Sequence, residues 1–182
     1  MTRALLLIDI QNDYFPGGAM ALVGSPEAGL QAGGLLTAFR AQRLPVIHIQ
    51  HLALRPGATF FLPGTPGAEI HPGVAPLPGE PVFQKHFPNS FRETPLLEHL
   101  RGLGATELVV AGMMTHMCID TTVRAAFDLG FTCHLAGDAC ATRDLGRNGA
   151  TTPAAQVQAA FLAALHGTFA QVQSTEELLA GL

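Results

Sequence analysis

Short apolar runs alternate with longer helical patterns along this chain, and the alternation predicts a parallel sheet wrapped by helices. The runs that we interpret as buried strands lie at 4–8, 46–50, 82–84, 108–111, 131–136 and 168–172. Helices are predicted between them at 26–42, 94–103, 117–129, 153–166 and 175–180. Pro26 and Pro95 fall in the first turns of two of these helices, and Gly104 follows the end of one, as helix signals predict.

The segment between His51 and Pro81 interrupts this alternation, because it is rich in proline and glycine. A loop of that length inside a compact domain is usually functional or disordered. Phe60 and Phe61 indicate that it packs, so we expect an active-site or interface loop. The chain shows no internal repeat and no linker, which favours a single domain over residues 1–182.

Composition narrows the class of protein. Apolar residues make up 48% of the 182 residues and charged residues 13%, with a net charge of −4, which excludes intrinsic disorder. The ten lysines and arginines are scattered along the chain, so a nucleic-acid partner is not expected. No apolar stretch is long enough for a membrane span, and the amino terminus does not resemble a secretory signal, so we expect a cytoplasmic protein. Low charge favours a homodimer or larger homo-oligomer.

Three polar residues follow predicted strands and are candidates for chemistry. Asp9 follows the first strand, Lys85 the third, and Cys118 lies in the turn GMMTHMC after the fourth. Ligands of open parallel sheets bind outside the carboxyl ends of the strands, so these residues should share one edge. Taken singly, each has an ordinary interpretation: a turn aspartate, a surface lysine and a buried thiol. That ordinary interpretation is retained for Cys133 and Cys140.

Cys118 differs from the other cysteines in its predicted position at the start of a helix. A helix amino terminus stabilises a thiolate and should lower the pKa of the thiol. The free N–H groups of the preceding turn could also bind an oxyanion. With an acid and an amine on the same edge, the three residues form a plausible site for nucleophilic catalysis.

The sequence resembles the isochorismatase-like cysteine hydrolases, a superfamily that includes nicotinamidases and N-carbamoylsarcosine amidases. The matching stretches are LLLIDIQNDYFPGGAM, VFQKHFPNSFRETPL and LVVAGMMTHMCIDTTVRAAFDLGF followed by GDACAT. They occur in the family's order, and the resemblance extends over nearly the whole chain. The resemblance implies a three-layer α/β/α sandwich with a six-stranded, mainly parallel sheet. That architecture agrees with the strands predicted from the apolar runs.

The resemblance also implies roles for individual residues. Asp9 matches the catalytic acid, Lys85 the catalytic lysine and Cys118 the nucleophile of a triad that acts through a thioester. A cis peptide bond is implied between Met113 and Met114, and the oxyanion hole would use the backbone N–H groups of Met114 and Cys118. Other residues could line the substrate pocket or simply pack in the core: Phe15, Phe87, Phe91, His116 and Met117.

A metal is not expected. Nicotinamidases have an Asp-x-His motif and a later histidine, whereas this chain has IHIQHL, with Gln50 near the expected acid. His48 and His51 are three residues apart, which places them on opposite faces of a strand. His71 could approach from the loop, but histidines without an acid make a weak site. We therefore expect no metal and no other cofactor.

The leading interpretation is a cysteine amidohydrolase that cleaves a small carboxamide or related C–N bond. One alternative is an isochorismatase-type hydrolase of a vinyl ether, which needs no thiol but needs a positive clamp for its dicarboxylate substrate. Another is a thiol sensor or small-ligand binder on the same fold. A nucleotide-binding domain is rejected, because neither phosphate-loop motif occurs in the chain.

Overall fold

A computed structural model describes residues 2–182 and contains one six-stranded sheet and one small hairpin. The strands of the sheet are β1 (Thr2–Ile8), β2 (Val46–His51), β3 (Val82–Lys85), β4 (Ala105–Met113), β5 (Thr132–Ala141) and β8 (Gln171–Gln173). Their order in the sheet is β3-β2-β1-β4-β5-β8, and every neighbouring pair is parallel. The hairpin consists of β6 (Leu145–Arg147) and β7 (Ala150–Thr152).

Helices cover both faces of the sheet. They are α1 (Ser25–Ala41), α2 (Leu96–Gly102), α3 (Asp120–Asp128), α4 (Ala154–Leu165) and α5 (Thr175–Ala180). Alternate residues of β1 feed two cores: Leu5 and Leu7 pack with α1 and α5, while Leu6 and Ile8 pack with α2, α3 and α4. The predicted α/β/α sandwich is therefore confirmed. Within residues 2–182, no helix has the length and apolar character needed to cross a membrane.

Several strands and helices begin at other residues than predicted. The last strand begins at Gln171 instead of residue 168, because Gly167 and Ala170 form a turn in which the Gly167 N–H donates to the Ala170 carbonyl (3.0 Å). α2 begins at Leu96, and the hydroxyl of Thr94 donates to the Ser90 carbonyl (2.6 Å). The short hairpin was not predicted. The single domain and the homo-oligomer stay predictions.

The chain reverses its direction of progress across the sheet between β1 and β4, which are adjacent, and this place is called the topological switch point. The chain proceeds from β1 through β2 to β3 on one side and from β4 through β5 to β8 on the other. Ligands of doubly wound sheets bind at such a point, outside the carboxyl ends of the strands. At this end, Gly112 of β4 pairs with Ile8 of β1 and has a φ of +141°, which places its backbone against the Ile8 carbonyl. Only a residue without a Cβ fits there.

We therefore predict that Gly112→Ala lowers the free energy of unfolding by about 2–4 kcal/mol, because the new Cβ would collide with the Ile8 carbonyl at an unfavourable φ. Gly34→Ala is the matched control, since this exposed position on α1 has open space around it and should gain up to about 1 kcal/mol. Denaturant unfolding measures both changes. Equal effects of the two substitutions would contradict the proposed close approach of β1 and β4.

Candidate active site

Four adjacent strands each deliver one side chain to the same place. Lys85 ends β3, His51 ends β2, Asp9 follows β1, and Cys118 follows β4. In the sheet these strands are neighbours, and His51 is the register partner of Lys85. The three predicted residues are thus brought together at the switch point, together with a histidine to which the sequence analysis gave no role.

The ammonium group of Lys85 is the centre of the site and is fully buried. Its Nζ atom donates to Asp9 Oδ2 at 2.6 Å, to His51 Nδ1 at 3.0 Å and to Cys118 Sγ at 3.2 Å. Burial alone would lower the pKa of Lys85, but the negative charge of Asp9 and the hydrogen bonds to Asp9 and Cys118 outweigh it and raise the pKa above its ordinary value. The lysine is therefore a fixed cation.

Only one of the two carboxylate oxygens of Asp9 accepts a hydrogen bond. Its backbone N–H donates to Ile49 on the neighbouring strand (3.0 Å), and its φ of +53° turns the chain away from the sheet. Oδ2 accepts from Lys85, whereas Oδ1 is buried and has no hydrogen-bond partner among residues 2–182. A buried carboxylate oxygen without a partner is uncommon, and this one is free to accept a hydrogen bond.

Cys118 lies in a wide turn, Thr115–Ile119, that precedes α3, so the regular helix starts later than predicted. Within this turn the Ile119 N–H donates to the carbonyl of Met114, five residues back (3.3 Å). Such π-type turns are frequent at functional sites. The peptide bond between Met113 and Met114 is cis in the structure.

The sequence analysis predicted that a helix terminus lowers the pKa of the Cys118 thiol. The pKa is raised instead. Burial and the nearby Asp9 carboxylate raise the pKa of the thiol, and the opposing influence of Lys85 is too small to reverse this. The resting group is consequently a thiol that must be deprotonated during the reaction. Cys133 and Cys140 are also buried, and burial raises the pKa of each to about 12. Neither contacts the ammonium of Lys85.

A cavity of about 310 Å³ opens above Cys118, and most of its wall is aromatic or aliphatic. Phe87 and Met117 line it, as the sequence analysis allowed, and so do residues that it did not propose: Tyr14, His51, Ala53, Arg55, Ala58, Phe60, Phe61, His86, Pro88 and Met114. This volume is at the lower end of the range for small-molecule sites. The site therefore suits a small ligand.

Three proposed pocket residues lie elsewhere. Phe15 stacks on the ring of His71 at a centroid distance of 3.7 Å, outside this cavity. Phe91 stacks on Phe131 at 6.2 Å and packs against the core. The ring nitrogen Nδ1 of His116 is 2.6 Å from the hydroxyl of Thr142. None of these three residues is part of the lining of the cavity above Cys118.

The proline-rich segment after β2 forms one wall of the cavity, and Asp13 fastens it there. Asp13 Oδ2 accepts the N–H of Phe61 at 2.6 Å, and Oδ1 accepts the N–H of Ala19 at 3.1 Å. Phe61 then packs on Tyr14 with ring centroids 4.4 Å apart. Phe60 and Phe61 were the available sequence signal for this wall, whereas nothing local indicated that Asp13 binds a residue 48 positions away.

His48, Gln50 and His71 occupy the region of the nicotinamidase metal motif, but each binds a different partner and they do not point to one common site. His48 is buried against Glu80, with Nε2 3.0 Å from Oε2. The side-chain amide of Gln50 donates to the Ala68 carbonyl at 2.9 Å, and His71 stacks on Phe15. His48, Gln50 and His71 therefore do not fit a shared metal ion, and His51, the other histidine considered for a metal, lies beside the ammonium of Lys85 instead.

A different set of potential ligand atoms does converge. One atom each from Asp9, His51 and Cys118 lies within 4.8 Å of the others. The ammonium of Lys85 already contacts all three of these side chains. A divalent cation placed among them would have to coexist with this buried positive charge, which is unfavourable at such short range.

Comparison with known proteins gives a consistent family. The model of the isochorismatase domain matches residues 3–177. An uncharacterized isochorismatase family protein of Bacillus subtilis, YddQ, is 51% identical over 179 residues, which cover 98% of this chain and 99% of that protein. A crystal structure of an isochorismatase from Pseudomonas putida superposes with a TM-score of 0.90 at 39% identity, covering 96% of this chain and 89% of the other.

Relatives named for an activity are more distant. A streptothricin hydrolase of Streptomyces noursei is 38% identical over 79% of this chain, which spans about half (51%) of that protein. The nicotinamidase/pyrazinamidase of Mycobacterium tuberculosis is 30% identical over 68% of this chain and 78% of its own length. These relatives differ from one another in the substrates that their names indicate.

The position of Lys85 generates a prediction about metals. Zinc should change the melting temperature of the wild-type protein by less than about 1 °C, since a ligand that does not bind cannot stabilise the folded state. In Lys85→Ala the carboxylate, imidazole and thiol lose the competing cation, and zinc should then raise the melting temperature, because these groups are ordinary zinc ligands. Thermal unfolding after chelator treatment, with metal analysis, tests both. Near-stoichiometric zinc in the wild-type protein would contradict this account.

Proposed function

Since the chain belongs to the isochorismatase family of hydrolases, we propose that it cleaves a small carboxamide or a related C–N bond through the thiol of Cys118. The observation that carries the proposal is the arrangement around Lys85, where one ammonium contacts both an acid and a thiol. A binding protein or thiol sensor needs no such arrangement. The nicotinamidase relative is named for an amide substrate, which is consistent with this class.

Asp9 is proposed to act as the general base through Oδ1, its unpaired oxygen. As the sulfur of Cys118 attacks the carbonyl carbon, Oδ1 takes the proton of the thiol. When the tetrahedral intermediate collapses, the C–N bond breaks and Asp9 gives this proton to the leaving nitrogen. The products of this step are an amine or ammonia and a thioester on Cys118.

Water completes the cycle. Asp9, again a carboxylate, accepts a proton from the water molecule that attacks the thioester carbonyl. Collapse of the second intermediate breaks the C–S bond, and the proton held by Asp9 returns to the sulfur of Cys118. The second product is a carboxylic acid. Lys85 stays protonated throughout and holds Oδ2 of Asp9 in place.

The negative charge that develops on the carbonyl oxygen must be stabilised by hydrogen-bond donors. The backbone N–H groups of Met114 and Cys118 are proposed to supply them, since both residues line the cavity. Preorganised backbone donors of this kind commonly contribute about 3 kcal/mol each to the stabilisation of an oxyanion. No metal ion is required as a Lewis acid in this scheme.

Hydrolysis of a vinyl ether is the second candidate, and Arg55 favours it. This cation lines the cavity and could bind one carboxylate of an anionic substrate. Arg92, the other cation of the VFQKHFPNSFRETPL stretch besides Lys85, instead stacks on the ring of Phe87 at 3.5 Å. A single arginine is a weak clamp for a dicarboxylate, so the amide reaction remains the preferred proposal.

An ammonia-release screen over small carboxamides, with the wild-type protein and four variants, tests the proposal. Cys118→Ala and Asp9→Asn should each lower kcat/KM at least about 10³-fold, because each removes a group that is needed in the covalent step. Cys133→Ala and Cys140→Ala are the matched controls and should retain activity, since neither thiol contacts Lys85.

Retention of amide hydrolysis by Cys118→Ala would overturn the proposed mechanism. If the wild-type protein instead hydrolyses isochorismate, and Cys118→Ala does so equally well, the vinyl ether reaction is the function.

A further inference from the structure

The ammonium of Lys85 has three N–H bonds, and the structure provides three acceptors for them. They are Asp9 Oδ2, Cys118 Sγ and His51 Nδ1, at 2.6, 3.2 and 3.0 Å. Because Lys85 is fully buried, a missing acceptor would leave a charged donor unpaired, which is costly. His51 is therefore needed as an acceptor.

This contact determines the protonation state of His51. An imidazole nitrogen can accept from an ammonium only if it carries no proton, so Nδ1 is unprotonated and the proton of the neutral ring is on Nε2. The surroundings support a neutral ring. Burial lowers the pKa of His51 to about 4; Asp9 opposes this change, and the charges of Lys85, His86 and Arg55 reinforce it.

The rest of the ring faces the cavity. The side chain of His51 is 17% exposed and belongs to the lining of the cavity above Cys118. Its backbone is held by Gln11, whose Oε1 accepts the N–H of His51 (2.7 Å) and whose Nε2 donates to its carbonyl (2.9 Å). Nδ1 is occupied by Lys85. Nε2 accepts or donates no hydrogen bond among residues 2–182 and is not one of the buried unpaired atoms, so it is open to the cavity.

We propose that His51 is a specificity-determining and positioning residue, which holds Lys85 through Nδ1 and donates from Nε2–H to an acceptor atom on the substrate. The favoured substrates are then amides that carry a second acceptor, an oxygen or an unprotonated nitrogen, in addition to the scissile carbonyl. This inference rests on the proposed function for its substrate class, whereas the tautomer follows from the contacts alone. A donor that is closed off from water when the ligand binds discriminates against ligands that leave it unpaired.

Nitrogen-15 NMR of the histidine rings tests the tautomer without any substrate. The His51 signals, assigned by their absence in His51→Asn, should show an unprotonated Nδ1 and a protonated Nε2 at pH 6. A protonated Nδ1 at that pH, in either the neutral or the doubly protonated ring, would overturn the inference. This result does not depend on whether the protein hydrolyses amides.

Two substitutions separate the functions of the two nitrogens. His51→Asn keeps an oxygen near the position of Nδ1 but has no donor near that of Nε2, whereas His51→Phe removes both. In the ammonia-release assay, pairs of amides with and without a second acceptor are compared. The wild-type protein should favour the acceptor-bearing member about tenfold in kcat/KM, the value of one good hydrogen bond, and His51→Asn should lose this preference with little change in kcat.

His51→Phe should lower kcat as well, because the ammonium of Lys85 loses an acceptor. His134→Asn is the matched control and should leave kcat and the substrate preference unchanged. His134 lies near the amino end of β5, whereas the site lies at the carboxyl ends of the strands. An unchanged preference in His51→Asn would overturn the specificity role, and an unchanged kcat in a folded His51→Phe would overturn the positioning role. If no amide is turned over, the proposed function fails while the NMR result still decides the tautomer.

Discussion

The buried ammonium of Lys85 is the interaction on which the rest of the site depends. A fully buried cation is stable only if negative charge and acceptors surround it, and each of its N–H bonds has a partner here. The fold makes this possible because four neighbouring parallel strands end at the same edge. Lys85 and His51 are the last residues of their strands, Asp9 directly follows β1, and Cys118 lies in the turn that joins β4 to α3. The carboxyl ends of the strands and this adjoining turn therefore fix the four positions. Sites built on regular elements hold their geometry well.

In the proposed mechanism, this arrangement also determines when Cys118 becomes a nucleophile. The charge of Lys85 is largely balanced by Asp9, so it does not keep Cys118 ionised, and burial raises the pKa of the thiol. A protonated thiol is less prone to unwanted oxidation than an exposed thiolate. In the proposed scheme, deprotonation by Oδ1 of Asp9 accompanies attack on a bound carbonyl. The neutral ring of His51 contributes an acceptor to the ammonium without adding a second charge to the site.

The fold and the clustering of Asp9, Lys85 and Cys118 could be predicted because their signals are local. Apolar runs marked the strands, and Asp9, Lys85 and Cys118 stand directly after strands or inside a family motif. The contact between His51 and Lys85 could not be predicted, since it depends on the order of the strands, which places β2 between β3 and β1. The sign of the pKa change at Cys118 was wrong for a related reason. The sequence indicated a helix terminus, but burial and the distance to Asp9 are properties of the folded chain.

The central claim is that Lys85 and Asp9 neutralise each other and leave Cys118 as a thiol. The ultraviolet absorbance of thiolates, titrated in the wild-type protein and in Cys118→Ala, measures this directly. We predict that the two titration curves coincide from about pH 6 to pH 9, because the raised pKa keeps the Cys118 thiol protonated over that range. An additional titration step in the wild-type protein at or below neutral pH, equal to one cysteine, would show a stable thiolate beside Lys85 and contradict the account.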